Sequence, residues 1–234
     1  MASNLRLLDA DKSTVFSSHN FNRVLAGTIS GKKLIFVNSY GDEDALDTEF
    51  GLYAVSGNDG VNYGQISLGE GFSANGTTLS VTVNASGGGI PDTASLRYKI
   101  SAVDENGHES EANSNVVIPT LNTGNTNQVV LSWTTISGAV LYKIYISVDG
   151  GTTYGLIGST ANLTFTDNAG VAGTSTPPAT GSVAYRPTVW GTAPITFGTL
   201  AIGAKIPVFV RENVPLGITA QGNQRHHRTY LAFS

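Results

Sequence analysis

Cysteine is absent from the chain, so neither disulfides nor thiolate metal sites are available to it. Stability outside a cell would have to come from packing or from association with other subunits. Charge is also scarce: Asp, Glu, Lys and Arg make up 13% of the 234 residues, against about a quarter in ordinary soluble domains. Solvent-facing positions are filled instead by Thr, Ser, Asn and the 28 glycines. The 13 Lys and Arg are outnumbered by 17 Asp and Glu, for a formal net charge of -4. That balance leaves no basic footprint for a phosphate backbone and argues against a nucleic-acid partner. No apolar run approaches the roughly 20 residues that a membrane-spanning helix needs. The first twelve residues, Met1-Ala-Ser-Asn-Leu-Arg-Leu-Leu-Asp-Ala-Asp-Lys12, lack the apolar stretch of a secretory signal. The expectation is a protein with no membrane partner that stays in the cytoplasm where it is made.

A sustained 3.6-residue period is missing too. Period-2 alternation takes its place, with Leu79, Val81 and Val83 on one face, then Leu96, Tyr98, Ile100 and Ala102 against Arg97, Lys99 and Ser101. The same pattern returns at Val129, Leu131 and Trp133, at Tyr142, Ile144 and Ile146 against Lys143 and Ser147, and at Leu163 with Phe165. Turn signals separate these runs: Asn58-Asp59-Gly60, Glu105-Asn106-Gly107, Ser137-Gly138, Asp149-Gly150-Gly151 and Asp167-Asn168. Around Asp42-Glu43-Asp44-Ala45-Leu46-Asp47 a single helical turn is compatible with the residues.

Two stretches read as boundaries, Ser86-Gly87-Gly88-Gly89-Ile90-Pro91 and Gly173-Thr174-Ser175-Thr176-Pro177-Pro178-Ala179-Thr180-Gly181. They delimit residues 86–181, near the length of an immunoglobulin-like sandwich. Residues 182–234 are too few to bury a good core alone and are expected to fold back onto residues 1–85. Strand-like runs Lys33–Asn38, Ile206–Arg211 and Arg228–Ser234 lie on the two sides of the middle segment. The fold class that follows is all-β: two β-sandwich domains of immunoglobulin or fibronectin III type, the second inserted into the first.

The middle segment carries a family likeness. Leu96-Arg-Tyr-Lys-Ile-Ser-Ala-Val-Asp-Glu-Asn-Gly-His-Glu-Ser110 resembles the late tyrosine strand of fibronectin type III modules, and Asn127-Gln-Val-Val-Leu-Ser-Trp-Thr-Thr-Ile-Ser-Gly-Ala-Val-Leu-Tyr-Lys-Ile-Tyr-Ile-Ser147 resembles their tryptophan strand. The order is inverted, as in a permuted module, and is similar to modules in bacteriophage tail and head-surface proteins. Lys205-Ile-Pro-Val-Phe-Val-Arg-Glu-Asn-Val-Pro-Leu-Gly217 is similar to a stretch of phage tail and capsid-accessory sandwiches. The resemblance implies a virion structural protein, a capsid decoration or a tail or baseplate component. It would be assembled in the host cytoplasm and would bind other virion proteins and copies of itself.

Catalytic devices are not visible. No G-x-S-x-G elbow, H-E-x-x-H pair, phosphate-binding loop or dinucleotide glycine motif occurs, and the expectation is no enzyme, no cofactor and no metal. The acidic run at 42–47 lacks the sixth-position Gly and distal Glu of an EF-hand and reads as a solvated loop. His19 and His108 stand alone and read as surface residues, while Asn75-Gly-Thr77 reads as a turn. Trp133, Tyr98, Tyr142 and Phe165 read as sandwich core. The candidate interface residues are Trp190, outside any clear strand, Arg211 in the sandwich-like stretch, and the cluster Arg225-His226-His227-Arg228. Adjacent strand side chains point to opposite faces, so the histidine pair suits a solvated strand edge better than a shared metal. The rival function is a carbohydrate-binding adhesin that stacks a host-surface glycan on Trp190 and on loop tyrosines Tyr40, Tyr63 or Tyr154.

Overall fold

The computed structural model describes residues 5–16, 28–40, 44–54, 64–114, 118–124, 126–213 and 228–233. Among them the secondary structure is β throughout, and no helix is long and apolar enough to cross a membrane. The strands, in chain order, are β1 (Leu5–Asp9), β2 (Lys33–Ser39), β3 (Ala45–Ala54), β4 (Gly64–Phe72), β5 (Ser80–Asn84), β6 (Ile90–Pro91), β7 (Arg97–Val103) and β8 (Thr126–Ser132). They continue with β9 (Leu141–Ser147), β10 (Gly155–Thr160), β11 (Thr164–Asp167), β12 (Ala184–Pro187), β13 (Ile195–Leu200), β14 (Lys205–Glu212) and β15 (Arg228–Phe233). Residues 45–47 open β3 rather than a helical turn, and Asp42 and Glu43 lie outside the described residues.

The chain divides into two compact units, one made of Met1–Glu70 with Pro187–Ser234 and the other of Gly71–Arg186. In the first, strands from opposite ends of the sequence alternate. β14 pairs antiparallel with both β2 and β4, setting Val208 opposite Ile35 on one side and Leu68 on the other, while β1 pairs with the far edge of β2. A second sheet has β3 between β13 and β15. Ile35, Val37, Phe50, Ile66, Val208 and Val210 form the core of this unit. Leu34 and Phe36 alternate with Ile35 and Val37 yet are equally inaccessible, so β2 is buried on both faces. That is why its sequence reads as a continuous apolar run and not as an alternation. The ammonium groups of Lys12 and Lys32 sit over the rings of Phe36 and Phe209, at 5.3 and 5.9 Å, keeping charge in water above an apolar stem.

In the second unit two antiparallel sheets, β10-β9-β7 and β11-β8-β5 with β6 beside β8, contribute to one core. Tyr98, Ile100 and Ala102 of β7, Tyr142, Ile144 and Ile146 of β9, and Val129, Leu131 and Trp133 at β8 are all buried in it, each large side chain contributing about 1.5–3 kcal/mol. Phe165 packs against the same cluster. The buried hydroxyls are satisfied: Tyr98 donates to Asp167 Oδ2 at 2.7 Å, and Tyr142 accepts from the Ile136 amide at 3.0 Å. Trp133 and Tyr142 meet edge to face, centroids 5.4 Å apart, the geometry that ring quadrupoles favour. The opposite face of β7 and β9 is less open than its Arg, Lys and Ser pattern indicates. Ser101, Tyr145 and Ser147 on it are buried.

The observed divisions differ from those expected at 85/86 and 181/182. Residues 71–85 belong to the middle unit because β5 pairs with β8 along Ser80–Asn84, bringing Val81 and Val83 to its core. The glycines read as a boundary are integral to that unit as well. A Cβ at Gly88 would stand 2.1 Å from the Asn127 carbonyl oxygen, and the Gly89 amide donates to Asn168 O at 2.6 Å. Likewise Leu156 bonds Gly173 and Ser175 through its backbone, and Glu111 bonds Ser182 through its backbone and the Gly181 amide through its carboxylate. Residues 173–182 thus run tied to the unit they seemed to leave.

Candidate functional site

Two of the interface candidates come together. Arg211 lies on β14 directly opposite Gln65 of β4 and donates through Nε to Gln65 Oε1 at 2.9 Å. Its guanidinium carbon stands 4.0 Å from the centroid of the Trp190 ring, a cation–π contact contributing about 0.5–2 kcal/mol according to how far it is desolvated. Burial lowers the guanidinium pKa from its ordinary value, but an arginine remains a cation at any working pH.

Trp190 has no strand of its own and is positioned by its neighbours. The Thr188 amide and hydroxyl both donate to Leu68 O at 3.0 Å, and Gly191 exchanges backbone bonds of 2.9 and 2.8 Å with Ile66. With the chain fastened to β4 on both sides, the indole is held at Arg211 and Val189 is left 80% exposed. The result is an indole paired with a guanidinium on the unit that contains both chain ends, with the exposed Val189 next to Trp190 in the chain. The first two residue types dominate binding energy at protein interfaces. The guanidinium occupies one indole face, so a sugar cannot stack on that face.

The remaining candidates are not gathered there. Arg225, His226 and His227 lie outside the described residues, and Arg228 is described only as the first backbone position of β15, paired with Ala54. Tyr63 and His19 also fall outside. Arg6 covers the ring of Tyr40 at 5.0 Å and Lys99 that of Tyr154 at 4.6 Å. Asp44 Oδ1 accepts the Ile202 amide at 3.0 Å. Among the described residues no three His, Cys, Asp or Glu side chains are grouped to hold a metal ion.

His108 is not the surface residue that its isolated place in the sequence indicates. Its Nδ1 is 3.0 Å from Oδ2 of the buried Asp104, and its ring meets Tyr185 edge-on at 5.6 Å. Asp104 also accepts the amides of Asn106, His108 and Tyr185. Burial opposes its charge, yet these bonds outweigh burial and hold its carboxyl below the ordinary carboxylate value. Glu109 is the second polar centre that sequence reasoning passed over. One oxygen accepts Ser101 Oγ at 2.5 Å and Tyr145 OH at 2.6 Å, while the other takes Lys143 Nζ at 2.5 Å. Burial and then this carboxylate push the Tyr145 phenol above its usual pKa. In both centres the carboxylate oxygens find their partners within the unit. The one trace of them in the sequence is the Gly107-His108-Glu109-Ser110 end of the tyrosine-strand motif.

No family model, curated protein or solved structure matches the chain.

Proposed function

We propose that this chain is a non-enzymatic structural protein of a bacteriophage particle, built of two β-sandwich bodies. The unit containing both chain ends docks on capsid or tail proteins, and the middle unit is a fibronectin III-like module presented on the particle. The observation that carries the reading is the Trp190–Arg211 couple beside the exposed Val189. A rigidly held aromatic, a cation and an apolar side chain suit a protein partner and provide no group for bond-breaking chemistry. The permuted tyrosine and tryptophan strands support the virion origin. Their residues Tyr98, Trp133 and Tyr142 share one core between two antiparallel sheets, as a sandwich requires. Rotational symmetry of a particle would put many copies in equivalent sites, each held by a modest interface.

The test is to purify particles from lysates of cells that encode the chain and to measure its copy number by mass spectrometry. A fixed stoichiometry is expected, and its absence from intact particles would refute the reading. Trp190→Ala and Arg211→Glu should each weaken rebinding of the purified chain to particles stripped of it by roughly 30-fold or more, the loss of a central contact of about 2 kcal/mol. Unchanged rebinding moves the interface elsewhere.

A further inference from the structure

The turn before β5 holds an Asn-Gly pair, Asn75-Gly76, and the turn after β7 holds the other one in the chain, Asn106-Gly107. Such a pair is chemically labile because the residue after the asparagine has no Cβ to keep its backbone nitrogen from the side-chain amide carbon. In a folded chain the reaction needs two further things: water must reach the side-chain amide, and the glycine N–H must be free. The two pairs differ in both.

Asn75 and Gly76 are both exposed. The Thr77 amide closes the turn on Ala74 O at 3.0 Å, and the Asn75 amide donates to Ser73 Oγ at 2.9 Å. The Gly76 amide between them bonds to no described residue. A Cβ at Gly76 would meet nothing within 4 Å, so the space around it is open. At the other pair the Gly107 N–H donates to Asp104 O at 3.1 Å, the Asn106 backbone amide donates to Asp104 Oδ1 at 2.8 Å, and Asn106 Nδ2 is buried. One motif thus stands open and its twin is closed.

We propose that Asn75 is a site of spontaneous deamidation in the folded protein, and that Asn106 is protected from the same reaction. The Gly76 nitrogen gives its proton to hydroxide and bonds to Asn75 Cγ. The Cγ–Nδ2 bond breaks, and that nitrogen leaves as ammonia with a proton from water. A second water opens the resulting imide at either of its carbonyls, giving aspartate or isoaspartate. The net change consumes one water and releases one ammonia, with nothing oxidised or reduced. Each conversion takes the formal net charge from -4 to -5. It also sets a carboxylate where Glu111, which accepts the Gly181 amide and Ser73 Oγ, had a donor in the Asn75 side chain. Two anions then meet, and like charges in contact loosen the ties around them. The modification does not depend on the virion reading.

The experiment incubates the full chain, folded or in urea, in mildly alkaline buffer made with water enriched in heavy oxygen, and follows it by peptide mapping with mass spectrometry. In the folded chain the Asn75 peptide should give two products, aspartate and isoaspartate, each carrying a solvent oxygen. It should react at least about tenfold faster than the Asn106 peptide, whose reaction waits on local opening. In urea the two rates should converge, because only the fold separates them. Asn75→Gln, which exchanges one exposed amide for another, should remove the first acidic species resolved by anion exchange. The proposal is overturned if Asn75 stays intact in the folded chain, if Asn106 there reacts as fast, or if the first acidic species persists in Asn75→Gln. Absence of the chain from particles would refute the virion reading and leave this result untouched.

Discussion

Glu109→Ala should destabilise the middle unit far more than an ordinary polar substitution. The carboxylate is 14% exposed and accepts from two hydroxyls and an ammonium. Ser101 and Tyr145 are buried, so their hydroxyls would lose an acceptor that water cannot replace, at about 1–1.5 kcal/mol each. Lys143 is 32% exposed, and losing its partner adds only about 0.5–1 kcal/mol after solvent screening. The sum is about 2.5–4 kcal/mol, much of the stability of a typical domain. Glu109→Gln retains an oxygen acceptor and should cost nearer 1 kcal/mol. Native-state hydrogen exchange of peptides covering β7 and β9 reads this directly, with peptides from β1 and β2, in the other unit, as an internal control. The most protected β7 and β9 amides should exchange about two decades faster in Glu109→Ala. In a Tyr145→Phe background the same change should cost at least about 1 kcal/mol less, because the donor is already gone. Acceleration below about threefold, or strict additivity with Tyr145→Phe, would show that the carboxylate does not organise this face.

Gly88→Ala, which would place a methyl against the Asn127 carbonyl, should lower the stability of the middle unit by about 2–3 kcal/mol in thermal unfolding. Gly31→Ala meets nothing within 4 Å and should be neutral or slightly stabilising. For Asp104 the folded carboxyl pKa is depressed, so below the ordinary value near 4 the unfolded chain takes up the proton first. Stability from this group is fully present above that value and is lost as pH falls through the folded pKa. Acid titrations of the middle unit's unfolding free energy should show that slope flattened in Asp104→Asn. Tyr98→Phe removes one buried bond but leaves Asp167 still accepting the Ala169 and Gly170 amides, so its cost in chemical denaturation should stay near 1 kcal/mol.

Much of the middle unit was legible before any coordinates. Tyr98, Ile100, Trp133, Tyr142 and Ile144 point to its core because a strand sends alternate side chains to opposite faces, and that alternation is written in the residues. Turn residues at Asn106-Gly107 and Ser137-Gly138 were readable for the same local reason: both glycines have positive φ, which other residues avoid. The glycines at 87–89 were read as a boundary. Flexibility and close packing call for the same residue, and only the position of Asn127, distant in sequence, distinguishes them. His108 read as a surface position and Glu109 drew no reading, because their partners Asp104, Ser101, Lys143 and Tyr145 are brought to them by the turn and by strand pairing.

The candidate site divides in the same way. Trp190 and Arg211 could each be singled out by residue type and by unusual setting. Their contact depends on β14 lying beside β4 in a register that puts Arg211 opposite Gln65, with Thr188 and Gly191 fastening the intervening chain to β4. By itself the sequence determined strand character, core faces and the shortage of charge, all consequences of side-chain chemistry and period. The tertiary structure alone decided where the chain divides into units, which glycines are packed and which polar groups find partners. Those outcomes depend on distances between residues far apart along the chain, which no local pattern records.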